Sequence, residues 1–66
     1  MPVLTAMEAE KLLLKAGYVL LRTKGSHKIY SKGDEIVVIP FHRGKTLNRG
    51  ITQQVLEAVQ QRAEDE

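Results

Sequence analysis

The period of the apolar positions changes along the chain, and each change marks an element. Ala9, Leu12, Leu13 and Ala16 recur at helical spacing and form one apolar stripe. Thr5 precedes Glu8 by three positions, the spacing of a capping box, in which the two side chains satisfy free amides of the first turn. Gly17 supplies the stop. A first helix is predicted over about residues 6–16. Tyr18 to Thr23 is rich in β-formers, lies between Gly17 and Gly25, and is too short for another helix. His27 to Ser31 and Glu35 to Ile39 read as the second and third strands, and the tight turn Lys32-Gly33-Asp34 makes them a hairpin. Pro40 ends the third strand because it has no N–H to donate to the ladder. Asn48 is a suitable N-cap, and Ile51, Val55, Leu56, Val59 and Ala63 share a helical face. A second helix is predicted over about residues 49–63.

The order helix, strand, strand, strand, helix defines an α+β domain. A three-stranded antiparallel sheet with both helices on one face is the simplest way to bury both stripes. The other sheet face is then open. Ile36-Val37-Val38-Ile39 is apolar on both sides, so the open face carries apolar side chains that a partner or the loops would cover. Strand two gives opposite faces to His27/Ile29 and to Lys28/Tyr30, and the pattern leaves open which of them looks inward. Tyr18 and Tyr30 are two of three aromatic residues and are expected in the core, with stacking on a base as the alternative.

Composition narrows the class. With 66 residues the chain is one domain over residues 1–66, too short for a Rossmann enzyme, a barrel or a two-domain machine. It has no cysteine, so no disulfide stabilises it and a reducing compartment suits it. The apolar fraction of 42% and charged fraction of 27% are those of an ordinary globular domain. No stretch approaches a membrane span, and the first residues lack the pattern of a secretory signal, so a cytoplasmic location is expected.

The net charge of +2 is unevenly spread. Residues 22–49 carry Arg22, Lys24, Lys28, Lys32, Arg43, Lys45 and Arg49 against Asp34 and Glu35. The last residues are acidic, with 64–66 expected as a frayed tail. A local basic excess is an electrostatic footprint for a polyanion, although many lysine-rich surfaces are only solvated. His27 lies in Lys24-Gly25-Ser26-His27-Lys28, at a glycine turn where backbone can approach a ligand and lysines suit a phosphate. A histidine there is placed to move a proton near pH 7, though most such histidines are plain surface residues. His42, in Phe41-His42-Arg43-Gly44-Lys45, is a second acid–base candidate, but a loop histidine more often bonds backbone and fixes its turn.

Several chemistries are excluded. Gly44-Lys45-Thr46 follows a strand and precedes a helix, but a P-loop needs glycine where this chain has Ile39. Two histidines and no cysteine do not make a closed zinc site. The carboxylates form no cluster suited to a two-metal nuclease, and Ser26 beside His27 lacks a third member of a triad.

These residues carry a resemblance. GYVLLRTKGSHKIY, then VVIPFHRGKTL, then a closing helix is similar to the HicA family of toxins from HicA–HicB toxin–antitoxin pairs, over nearly the whole chain. The most specific parts are Gly25-Ser26-His27 with Tyr30, and Pro40, His42, Gly44 and Lys45. The chain departs from the family pattern at Arg49, where a proline is usual in the first turn of helix two, and in its acidic tail. The resemblance implies a fold like the double-stranded-RNA-binding domain and an mRNA interferase, an endoribonuclease that halts translation. It implies His27 as the catalytic residue and a HicB antitoxin that blocks the active site, so a hetero-oligomer is expected. RNA cleavage through its own 2′-hydroxyl needs no metal or other cofactor. The RNA-binding candidates are then Arg22, Lys24, Gly25, Ser26, Lys28 and Lys45, with His27 for one proton and His42 in second rank for the other. Two rival readings are a non-catalytic RNA-binding module and a pure interaction domain that uses the open apolar face. The first is disfavoured because duplex-binding modules of this order depend on a basic second helix, and here that helix has Arg62 among acids.

Overall fold

The computed structural model describes residues 3–42 and 46–64, with side chains through residue 60. The elements are α1 (Ala6–Lys15), β1 (Val19–Lys24), β2 (His27–Lys32), β3 (Glu35–Pro40) and α2 (Arg49–Glu64). The predicted order and boundaries hold within a residue or two. Asp65 and Glu66, most of the expected acidic tail, and the Ala63 side chain lie outside what is described.

α1 starts and stops where its local chemistry dictates. The Glu8 amide donates to the Thr5 hydroxyl at 3.1 Å, and the Thr5 amide donates to Glu8 Oε1 at 2.9 Å, so the capping box is complete. At the other end Gly17 has φ +103°, a left-handed conformation that costs other residues about 1–2 kcal/mol. Its amide donates to Leu14 O and the Tyr18 amide to Leu13 O, the paired bonds of a Schellman turn. The Lys32 ammonium donates to Ala16 O at 2.8 Å, so a cation from β2 completes the negative end of the helix. At the start of α2 the Ile51 amide donates to Asn48 Oδ1 at 2.8 Å, which establishes the predicted cap.

The sheet is antiparallel in the order β1-β2-β3. Two-residue loops join the strands, Gly25-Ser26 and Gly33-Asp34, each with φ near +60° at its glycine and none at the residue after it. That pattern belongs to a type II′ turn, whose twist matches the flanking strands. The β2–β3 turn sets the whole register, from Lys32 opposite Glu35 to His27 opposite Pro40. The Phe41 amide donates to Ser26 O at 2.6 Å, so the ladder runs one pair further. Hydrogen-bonded pairs alternate in an antiparallel ladder, and the 27–40 pair is therefore a non-bonded one. The missing N–H of Pro40 costs no bond to β2, and this is why a proline is accepted there.

β1 contains a bulge. Lys24 pairs with His27 and Arg22 with Ile29, but Leu20 pairs with Tyr30, so Leu21 is an extra residue. Without it, Leu20 would share a face with Arg22 and Lys24. The bulge turns Leu20 to the side of Tyr30 while Arg22 and Lys24 stay on the side of His27.

The core lies between the helices and one sheet face. Ala6, Ala9 and Leu13 of α1 meet Tyr30, Val37 and Ile39 of the sheet, Val55 of α2, and Tyr18 and Leu47 of the connections. Both tyrosines are buried, as expected. The helices pack on each other and both meet β3. The opposite sheet face stays bare, with Val19, Ile36 and Val38 exposed. The segment before α2 is tied to the segment before α1. Thr46 bridges Thr5, the Leu47 amide donates to Leu4 O at 2.8 Å, and the Leu4 amide donates to the buried Thr52 hydroxyl at 3.2 Å. Thr52→Val keeps the shape and removes that acceptor. It is expected to lower stability by about 1 kcal/mol in chemical denaturation. An unchanged midpoint would mean that the Leu4 amide is equally well served by water.

Candidate active site

Period-two alternation and the register decide which candidate residues share a face. His27, Ile29 and Ser31 of β2 point away from the helices, with Pro40, Val38 and Ile36 opposite them on β3. On β1, Lys24 is the cross-strand partner of His27, and Arg22 lies one non-adjacent position further along the same side. Both are exposed, as is His27. Three cationic or protonatable side chains thus stand together at the Gly25-Ser26 end of the open face.

The turn itself is bare. A Cβ built on Gly25 would meet nothing within 4 Å. The glycine is required by its φ of +61° alone, and its backbone is open to a ligand. The Ser26 carbonyl accepts the Phe41 amide, while the residue as a whole is exposed. Gly25 and Ser26 therefore form the rim beside His27.

His42 joins this group. It is two residues beyond Pro40, so the alternation of β3, extended by the Phe41–Ser26 bond, keeps it on the His27 side. The two imidazole centroids are 6.3 Å apart and the rings are nearly perpendicular, at 85°. Diagonal neighbours on one sheet face lie at such distances. His42 is exposed, and among the described residues its side chain makes no hydrogen bond. The expectation that it bonds backbone to fix its turn finds no support among those residues.

Lys28 does not belong to this face. It pairs with the fully buried Ile39 on the helix side. Its ammonium lies 3.5 Å from Glu10 Oε2 and 4.3 Å from the centroid of the Phe41 ring. It is separated from the His27 face because neighbours in a strand point in opposite directions, and its described partners are internal. The same Glu10 oxygen accepts the Tyr30 hydroxyl at 2.6 Å. Burial pushes the Tyr30 phenol far above its usual range, with the Glu10 hydrogen bond and charge adding to the effect. Tyr18 is also raised, by burial first and by Glu35 second. The Glu10–Lys28–Tyr30–Phe41 group fixes β2 and the start of the His42 loop against α1. Nothing in the sequence pattern marks Glu10 as its centre. Lys45, the remaining candidate, lies outside the described residues with Arg43 and Gly44.

Three of the described carboxylates are held away from His27. Glu10 is held on the helix side, and Asp34 and Glu35 sit at the far end of β2. Among the described residues no three His, Cys, Asp or Glu side chains gather as a metal site. No described helix is long and apolar enough to cross a membrane.

Fold and face together define a small α+β domain that offers a basic, histidine-bearing sheet surface of a kind suited to an anionic partner. The family model described as "HicA toxin of bacterial toxin-antitoxin" matches residues 6–60, which takes in every strand and most of both helices. The chain belongs to the HicA toxin family of bacterial toxin–antitoxin systems. As a toxin of such a system it has an antitoxin partner. Among curated proteins and among solved structures, none matches the chain significantly.

Proposed function

We propose that this chain is a metal-independent endoribonuclease that cleaves mRNA and so inhibits translation in the cytoplasm, with His27 transferring a proton in the cleavage. The observation that carries this reading is the position of His27. It is exposed at the end of β2, directly opposite Lys24 on β1 and on one face with Arg22. Lys24 and Arg22 are suited to hold the phosphodiester and to balance charge on the phosphorane, and the open Gly25 turn lets the RNA backbone come close. His27 then serves either the 2′-hydroxyl or the departing 5′-oxygen. The RNA supplies its own nucleophile, so no metal-bound water is needed. The antitoxin is a HicB-type protein that covers this face.

The test is incubation of the purified protein with single-stranded RNA in EDTA, followed by analysis of the new ends. Cleavage with 2′,3′-cyclic phosphate ends is expected. Ends bearing a 5′-phosphate, or a strict need for added magnesium, would refute the mechanism. A second reading, a non-catalytic interaction module, draws on the exposed Val19, Ile36 and Val38. Retention of RNA or antitoxin without any cleavage would support it.

A further inference from the structure

A single imidazole does not account for both proton transfers in this cleavage. In the proposed reaction the O2′–H bond breaks, O2′ bonds to phosphorus, and the P–O5′ bond breaks. One group must accept the proton of O2′ while another gives a proton to O5′. The entering and leaving oxygens lie on opposite sides of phosphorus, so the two groups must flank the phosphate without hydrogen-bonding to one another.

His42 meets these requirements. Its ring centroid is 6.3 Å from that of His27. The two rings make no hydrogen bond to one another, and the spacing is short enough for oxygens on one phosphorus to reach both, at about 2.6–3.2 Å from each nitrogen. The 85° angle between the rings aims them differently rather than stacking them. Both are exposed on the sheet face that carries Arg22 and Lys24. The alternatives on the described surface fit less well. Lys24 and Arg22 are placed to hold the phosphate, and Tyr18 and Tyr30 are buried on the other side.

The described residues on either side of His42 and the undescribed segment 43–45 are tied to the rest of the fold. Just before it, the Phe41 amide is bound to Ser26 O, and the Phe41 ring lies under the Lys28 ammonium. Beyond it, Thr46 and Leu47 are bonded to Thr5 and Leu4. A histidine on an untethered loop would gain little from being close on average. His42 directly follows a residue whose amide is bound across the sheet.

Resting on the nuclease reading above, we infer that His42 is the second catalytic residue, and that His27 and His42 act as a pair with one imidazole neutral and the other protonated. The neutral one takes the O2′ proton and the protonated one delivers its proton to O5′. Product release leaves the two protonation states exchanged, and water restores them.

The experiment uses the full chain as wild type, His27→Ala and His42→Ala. The wild-type cut site is mapped first. The same RNA is then made with sulfur in place of O5′ at that site, because a thiolate leaves without needing a proton. Both variants are expected to cut ordinary RNA about 10²–10⁴-fold more slowly than wild type. On the sulfur-containing RNA one variant should recover to within about tenfold of wild type while the other stays slow. The variant that recovers identifies the acid. If His42→Ala is the variant that recovers, His42 is the acid. If His27→Ala recovers, the base role of His42 is read from the pH–rate profile, whose acidic limb His42→Ala should lose and which a mere phosphate contact or loop-shaping residue would leave in place. Both side chains are exposed, so thermal melting should match wild type and confirm that the variants are folded.

If His42→Ala cuts ordinary RNA at the wild-type rate while His27→Ala is inactive, the nuclease reading stands and the pair is overturned. The pair is overturned equally if sulfur rescues neither variant. If wild type cuts no RNA, the nuclease reading itself has failed and the role of His42 falls with it.

Discussion

His27→Ala is expected to remove RNA cleavage in EDTA by about 10²–10⁴-fold while leaving the melting temperature unchanged. The two halves of this expectation have separate physical grounds. The loss follows from the proton-transfer role proposed for His27, which shares its sheet face with Lys24 and Arg22. The unchanged stability follows from the place of His27 in the fold. It is exposed, it begins β2 after a two-residue turn, and its side chain points away from the buried Tyr30 and Ile39. Substitutions at such surface positions fall within about 0.5 kcal/mol of neutral. The assay is therefore clean: a slow variant that melts like wild type has lost chemistry and not structure. Equal cutting by variant and wild type would move the chemistry off His27 altogether.

The parts of this fold that are legible in the sequence are those set by short-range rules. The Thr5–Glu8 box, the Gly17 stop and the Asn48 cap each act within four residues, so the helix ends can be read directly. The site is half legible. His27, Lys24 and Arg22 stand out in the sequence, and the two-residue loop at Gly25-Ser26 brings them to one side. Lys28 groups with them only by adjacency in sequence, yet adjacency in a strand means opposite faces. Which face turns inward is decided by partners far away. Glu10 on α1 takes the Tyr30 hydroxyl, and Val37 stands opposite Tyr30.

The closeness of His42 to His27 does have a signal. If Gly33-Asp34 is the whole loop, then Lys32 faces Glu35, His27 faces Pro40, and a residue two beyond Pro40 returns to the His27 side. Only the continuation of pairing past a proline is hidden, and the Phe41–Ser26 bond provides it. The β1 bulge has a signal as well. Tyr18, Leu20, Arg22 and Lys24 are all even positions, two apolar and two basic, and an unbroken strand would put all four on one face. The extra residue at Leu21 separates them.

Tyr30→Ala is expected to leave the chain largely unfolded at room temperature. At about 0.05–0.15 kcal/mol per residue, a chain of 66 residues has only about 3–10 kcal/mol of stability in all. Tyr30 is the largest of its fully buried side chains. Truncating a buried aromatic ring costs about 3–5 kcal/mol, and here it also takes from Glu10 its shortest hydrogen bond. Tyr30→Phe separates the two contributions, since it keeps the ring and removes only the hydroxyl. Its cost at neutral pH should be about 1 kcal/mol, because Glu10 retains Lys28 and access to water. The stability gap between wild type and the phenylalanine variant should close at high pH. In the unfolded chain the Tyr30 phenol ionises near its ordinary value of about 10. In the folded protein burial and Glu10 keep it protonated well above that. Its contribution is thus complete below about pH 10 and is lost as pH rises from there through the folded value, because the unfolded state then binds fewer protons. Tyr18 is shifted in the same direction, so Tyr30→Phe should make the alkaline decline shallower without abolishing it. Urea midpoints between about pH 8 and pH 11 would measure this. Curves that fall equally steeply for wild type and Tyr30→Phe would assign the alkaline limb to other groups and leave the Tyr30–Glu10 bond without a role in it.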